Sequence, residues 1–286
     1  MFDGFIEHYL PTGCGTLFAR VGGSGPPTRA LHGDPQPHLM WRAAAALPAS
    51  RLTGAAADPP GYGASFRPAA APDHAPYSKR ARAVDLVPAR SAAGFERFTV
   101  VPRDRGGRDG CRLALGHPGR LTTVAVLDLA PPGEVWARAD ASLTLGYRHW
   151  GLPRSTSATA ITLHQCQSRR VLRLPRPSAR AQRRPGRYPA EVLTVYRQLP
   201  DGPGTVPAIR GTAEPARASI ATTMSRPRPA LDRLPVLVLW SAHGALPRSY
   251  GDVPDAWRTL GASDHRSAHA RHPLRRRGPA RPDRTY

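Results

Sequence analysis

The chain has 286 residues, 40% of them apolar, which is enough for one large α/β domain with an inserted subdomain. A net charge of +21 invites a nucleic-acid reading. However, nine arginines without an acid lie in 151–190 and seven against one acid in 265–286, so most of the excess sits on two segments and the remainder is an ordinary soluble domain.

The elements follow in chain order. Gly15–Val21 reads as a short strand running into a Gly/Pro turn, and Thr28–Gly33 as a second, weaker one. His38–Leu47 has a helical pattern with Leu39, Met40 and the alanines on its apolar side. Leu52–Ala57 is a strand ended by Asp-Pro-Pro-Gly-Tyr-Gly, and Tyr77–Arg90 is helical with Ser78 as its cap. Arg97–Pro102 is a strand, Arg108–Leu115 a helix and Thr122–Leu129 a buried strand. Residues 151–187 lose all periodicity beside a run of arginine, proline and alanine. Order returns in Pro189–Leu199, a helix with proline in its first turn, and in the strand Pro235–Trp240. Beyond Ala262 the pattern is lost again, so 262–286 is expected to be irregular. Short, nearly continuous apolar strands alternating with helices predict a mostly parallel central sheet flanked by helices.

Residues 94–131 carry the most chemistry. Asp104 sits where a strand meets a Gly-rich turn, with Arg105 and Arg108 beside it. A carboxylate at such a turn can act as a nucleophile, and two guanidiniums can hold an anionic substrate by bidentate, charge-assisted bonds. Asp128 ends the next strand and so falls on the same carboxyl rim of a parallel sheet, where ligands bind. Three cysteines, Cys14, Cys111 and Cys166, contain no C-x-x-C pair, which points to neither a zinc site nor a disulfide framework. The N-terminus lacks a basic and apolar leader and no 18-residue apolar run exists, so no membrane span is expected and the default location is cytoplasmic.

Together, His-Gly-Asp-Pro at 32–35, Gly-Tyr-Gly-Ala-Ser at 61–65, Asp-Arg-Gly-Gly-Arg at 104–108, Leu-Asp at 127–128, His-Trp at 149–150 and Val-Leu-Trp at 238–240 resemble the haloacetate (fluoroacetate) dehalogenase family of the α/β-hydrolase fold. The resemblance covers about 1–150 and 189–260. It implies a core in two parts, 1–133 and 226–286, with a degraded helical cap insertion at 134–225. It also implies Asp104 as nucleophile, Arg105 and Arg108 as substrate-carboxylate clamp, His149 and Trp150 as halide donors and Asp128 as the acid orienting a catalytic histidine. His272 stands at the spacing that histidine requires, with His265 and His269 as rivals. Asp34, in the turn that would supply an oxyanion-hole N–H, would face the substrate. No metal or cofactor is implied, and the partner is a small haloacid. Relatives of this kind are often homodimers.

The sequence also departs from that family. Pro102 stands two residues before the nucleophile, where a tight elbow wants a small residue, and Arg103 adds a third cation there. Asp34 replaces an aromatic or apolar residue and would repel a substrate carboxylate. Three other readings follow: an epoxide or ester hydrolase on the same fold, an inactive or decayed homologue, and a nonenzymatic basic protein. The last would bind nucleic acid only nonspecifically, because 169–187 and 271–281 lack aromatic interleaving and a recognition motif.

Overall fold

A computed structural model describes residues 1–34, 36–47, 49–69, 71, 75–87, 96–137, 189–199, 208, 234–241, 245–250, 252–258 and 265–270. Eight strands form one sheet: β1 (Phe5–Pro11), β2 (Thr16–Gly22), β3 (Pro27–Leu31), β4 (Thr53–Ala57), β5 (Phe98–Pro102), β6 (Leu121–Leu127), β7 (Val236–Ser241) and β8 (His265–Ala270). Their spatial order is β1-β2-β4-β3-β5-β6-β7-β8. β1, β2 and β4 pair antiparallel, whereas every pairing from β4 to β8 is parallel. The helices among the described residues are α1 (Arg42–Ala45), α2 (Lys79–Leu86), α3 (Asp104–Gly116), α4 (Pro132–Ala137), α5 (Ala190–Gln198), α6 (Ala245–Tyr250) and α7 (Val253–Arg258). None of the described helices is long and apolar enough to cross a membrane.

The parallel strands have a core on each face. One cluster joins Val100, Val124, Val126, Val236 and Val238 to Leu86 of α2, Leu113 of α3 and Trp257 of α7. A second joins Phe2, Phe5, Leu39, Trp41 and Leu127 to Val192 and Tyr196 of α5. Full burial of one such aliphatic side chain contributes about 1.5–3 kcal/mol. The sheet order places β3 between β4 and β5, so the chain leaves β3 to one side and returns from β4 to the other. The loops after β3 and β5 therefore diverge and leave a crevice at their carboxyl ends.

Several elements differ from the sequence expectation. Residues 38–47 form a 3-10 turn, His38–Trp41, and the four-residue α1 instead of one helix. The helix expected over 77–90 is α2, and Ser78 caps it as anticipated, its hydroxyl accepting from Ala81 N at 3.2 Å. Residues 265–270, expected to be irregular, pair with β7 over six positions as β8. β1, α4, α6 and α7 were not among the expected elements. The stretch 151–187, expected to be irregular, lies outside the described residues.

α3 begins at Asp104, four residues before the expected start, and three glycines explain both the miss and the geometry. Glycine costs a helix about 1 kcal/mol relative to alanine, yet a Cβ at Gly106 would stand 2.3 Å from His32 O and one at Gly107 2.4 Å from Leu129 Cδ2. A Cβ at Gly110 would stand 2.6 Å from Pro102 Cβ. The helix thus lies directly on the ends of β3 and β5 and on the loop after β6. Gly110 is also why Pro102 is tolerated at the elbow: the bulk added on the strand is removed from the helix facing it. The missing Pro102 N–H costs nothing in the ladder's continuation, because Arg103 N donates to Leu31 O at 3.0 Å.

Two buried ion clusters brace these elements. Arg82 of α2 and Asp109 of α3 pair at 2.6 Å with no side-chain exposure. Lys79, the chain's one lysine, is buried nearby, and burial followed by the charge of Arg82 pushes its pKa well below the ordinary lysine value. At the end of β4, fully buried Asp58 accepts from His38 N at 2.7 Å and Ala64 N at 3.2 Å, and lies 3.0 Å from His32 Nε2 and 2.9 Å from His38 Nδ1. Burial alone would raise its pKa, but the bonds and charges of His32 and His38 outweigh that and hold it below the ordinary carboxylate range. Gly63, at φ 51°, is required here, since a Cβ would sit 1.8 Å from Asp58 Oδ2.

Two outcomes are expected. Gly110→Ala should destabilise by about 1–3 kcal/mol despite its better helix propensity, because the proline ring cannot yield. Adding Pro102→Gly should recover part of that loss. Urea unfolding of the four chains checks this, and strictly additive effects would refute the packing account. Asp58 is charged more readily folded than unfolded, so its contribution is complete above the unfolded carboxyl value near pH 4 and lost as pH falls below it. The stability gap between wild type and Asp58→Asn should therefore be largest above about pH 4 and narrow below it, as read from denaturant midpoints across pH.

Candidate active site

The site is built at the β3/β5 crevice. β3 and β5 run in register with Leu31 opposite Pro102, so the segments His32–Asp34 and Arg103–Asp104 leave the sheet side by side. Gly106 N donates to His32 O at 3.0 Å, tying the first turn of α3 to the loop after β3. Gly33 then closes on the elbow, because a Cβ there would lie 2.4 Å from Asp104 Cβ and 2.5 Å from its Oδ2.

Asp104 is half-buried with φ 49°, the left-handed region that disfavours residues with a side chain. The residue before it is extended, at φ −134° and ψ 143°, and the residues after it are helical. One residue therefore makes the whole strand-to-helix turn and lifts its carboxylate off the end of β5. Among the described residues Asp104 has one counterpart, Asp128 at φ 52°, the other non-glycine residue with positive φ. Such a conformation costs on the order of 1–2 kcal/mol and persists where the surroundings over-determine it. Asp128 N donates to Leu239 O at 2.7 Å, and Asp128 Oδ1 accepts from Ser241 N at 3.4 Å. Trp257 Nε1 anchors the following loop by donating to Leu129 O at 3.0 Å.

Arg105 is buried at the start of α3. Its Nη1 donates to the Tyr62 hydroxyl at 3.4 Å, and its Nη2 lies 3.9 Å from Asp34 Oδ2. Burial would weaken its charge, but Tyr62, Asp34 and Asp104 reverse that and raise its pKa above the ordinary arginine value. Tyr62 is held on three sides: Arg105 at its hydroxyl, Arg82 at 5.3 Å over its ring and His32 edge-on at 5.3 Å. Arg108, half-buried one turn along α3, is near enough to Lys79 to depress that amine's pKa, as Arg105 is.

The sequence-derived residues Asp34, Asp104, Arg105, Arg108 and Asp128 thus belong to the carboxyl rim of the sheet or the first turns of α3. His149, Trp150 and His272 lie outside the described residues. The rival histidines His265 and His269 fall within β8, opposite Val236 and Trp240. Three residues had motif positions but no assigned part: His32, Asp58 and Tyr62. The usable signal was a histidine ending one apolar strand and an aspartate ending its neighbour, which parallel pairing brings together.

No family model matches the chain. It is 45% identical over 150 residues to a fluoroacetate dehalogenase from Burkholderia sp, covering 52% of this chain and 49% of that protein. It is 28% identical over 131 residues to a soluble epoxide hydrolase from Corynebacterium sp. (strain C12), covering 46% of this chain and 41% of that one. The matched stretch thus spans about half the length of these curated relatives. Among solved structures, a Nostoc sp PCC 7120 protein provisionally described as an alpha/beta hydrolase superposes with a TM-score of 0.83 at 31% identity, over 95% of this chain and 93% of that one. With that identity and coverage, and a mostly parallel sheet flanked by helices, the chain belongs to the α/β-hydrolases.

Proposed function

We propose that the chain hydrolyses the carbon–halogen bond of a haloacetate through an ester formed on Asp104. The observation that carries this reading is the pair of strained aspartates: the two described non-glycine residues with positive φ are the one at the elbow and the one ending the next strand. In the first step a carboxylate oxygen of Asp104 attacks the halogen-bearing carbon. The C–O bond forms as the carbon–halogen bond breaks, and halide leaves with the electron pair. Arg105 and Arg108 hold the substrate's acyl end so that its carbon faces Asp104. His149 and Trp150 are the proposed donors to the departing halide.

In the second step a water attacks the ester carbonyl, a histidine takes its proton, and the 2-hydroxy acid departs from a regenerated Asp104. His272 is the proposed base and Asp128 its orienting acid. Two facts support that assignment. β8 ends at Ala270, opposite Ser241, whose N–H reaches Asp128, so the chain arrives two residues before His272 at the rim that Asp128 occupies. His265, by contrast, opens β8 opposite Val236, at the far end of the strand from that rim, and His269 is paired within it opposite Trp240. Cys14 and Cys111 are free thiols, which suits a reducing, cytoplasmic location.

An epoxide hydrolase is the second reading, favoured by the likeness to the Corynebacterium enzyme. The same aspartate could open an epoxide, but a buried guanidinium directly after it suits a polar acyl group better than a neutral ring.

Asp104→Asn should lower halide release from chloroacetate or fluoroacetate by on the order of 10⁴-fold. A single turnover in H2 18O separates the routes. Ester formation puts the label on Asp104 and leaves the first product unlabelled, whereas direct attack by water labels the product. An Asp104→Asn chain as active as the parent would refute the nucleophile.

A further inference from the structure

We infer that this site prefers an uncharged 2-haloamide to the anion of a 2-haloacid, because Asp34 has already taken the cation that would receive the carboxylate. The chemistry of the inference rests on the dehalogenation reading above; the charge preference stands on geometry of its own. Asp34 follows directly on Gly33, whose Cα side abuts the Asp104 carboxyl group. Its Oδ2 is 3.9 Å from Arg105 Nη2, and both side chains are largely covered, at 14% and 11% exposure. Arg105 therefore stands between two carboxylates, Asp34 and Asp104, and both act on it strongly enough to favour its charged form. Its other terminal nitrogen is directed to the Tyr62 hydroxyl.

An incoming haloacetate must pull Arg105 away from Asp34 or lie against it, like charge on like charge, beside two largely covered side chains. An amide avoids both. Its carbonyl oxygen accepts from Arg105 or the Tyr62 hydroxyl, while its two N–H groups donate to an acceptor, a capacity that a carboxylate lacks. Asp34 is short of donors: its Oδ1 is sealed from solvent without a hydrogen-bond partner among the described residues. Sites in which a polar group awaits a donor discriminate strongly against ligands that cannot supply one. The reaction balances as before: an Asp104 oxygen bonds to the carbon, halide leaves with its electron pair, and water hydrolyses the ester to release 2-hydroxyacetamide, halide and a proton.

The test uses the full chain and the isosteric variant Asp34→Asn, with two readouts. Binding of the product-like ligands glycolamide and glycolate is titrated by thermal shift or calorimetry. Halide release is measured from 2-chloroacetamide and 2-chloroacetate. Wild type should bind glycolamide about tenfold or more tightly than glycolate and show the same ratio in kcat/KM between the two chloro compounds. Asp34→Asn should shrink that ratio by gaining the acid. Glycolate binding as tight as glycolamide, failure of glycolamide to bind, or an unchanged ratio in Asp34→Asn each overturns the inference. Faster halide release from chloroacetate than from chloroacetamide overturns it while leaving the dehalogenation reading intact. Preferential glycolamide binding with no halide released from either compound sinks the dehalogenation reading and leaves the charge preference standing.

Discussion

A left-handed backbone at Asp104 is unfavourable by itself, and the packing around it leaves the residue no cheaper conformation. Gly33 closes from β3, Gly106 bonds His32 across the crevice, and α3 sits so low on the sheet that no Cβ fits at Gly106, Gly107 or Gly110. The helix gives up about 1 kcal/mol of propensity at each glycine and in return anchors the elbow to three strand ends. Below that surface, Asp58 collects His32, His38 and the turn around Gly63, so the loop that covers the elbow is itself fixed by a buried charge. Removing any one layer lets the turn relax and the carboxylate swing off its axis.

What could be read from the amino-acid sequence follows from this layering. The strands β5, β6 and β7 were legible because burial on both faces makes them continuous apolar runs, and Asp104 and Asp128 were legible because they end two of them. The start of α3 was not: its first seven residues contain three glycines and two arginines, and no period of 3.6 survives where the helix is selected for close approach. β8 escaped notice for another reason. A strand at the sheet's edge is specified by pairing with β7, and His265–Ala270 has no apolar alternation to announce it. The interplay of His32, Asp58 and Tyr62 depends on which strands are neighbours, information that appears only once the order β4-β3-β5 is known.

The departures from the dehalogenase pattern now divide into two kinds. Pro102 is compensated, since the facing helix has a glycine where the ring needs room, and the elbow keeps its geometry. Asp34 has no such steric counterpart among the described residues; on the proposed reading it alters the charge that a ligand meets. One substitution is absorbed by packing and the other reaches the chemistry. A chain can thus retain the architecture of its relatives while its preference among ligands drifts.

The solitary lysine has a practical consequence. Lys79 is enclosed between α2 and α3 beside the Arg82–Asp109 pair, and its environment disfavours the ammonium form. Its burial, not its charge state, keeps amine-directed cross-linkers from Lys79 in the native fold, so a label on that nitrogen will signal that those two helices have parted.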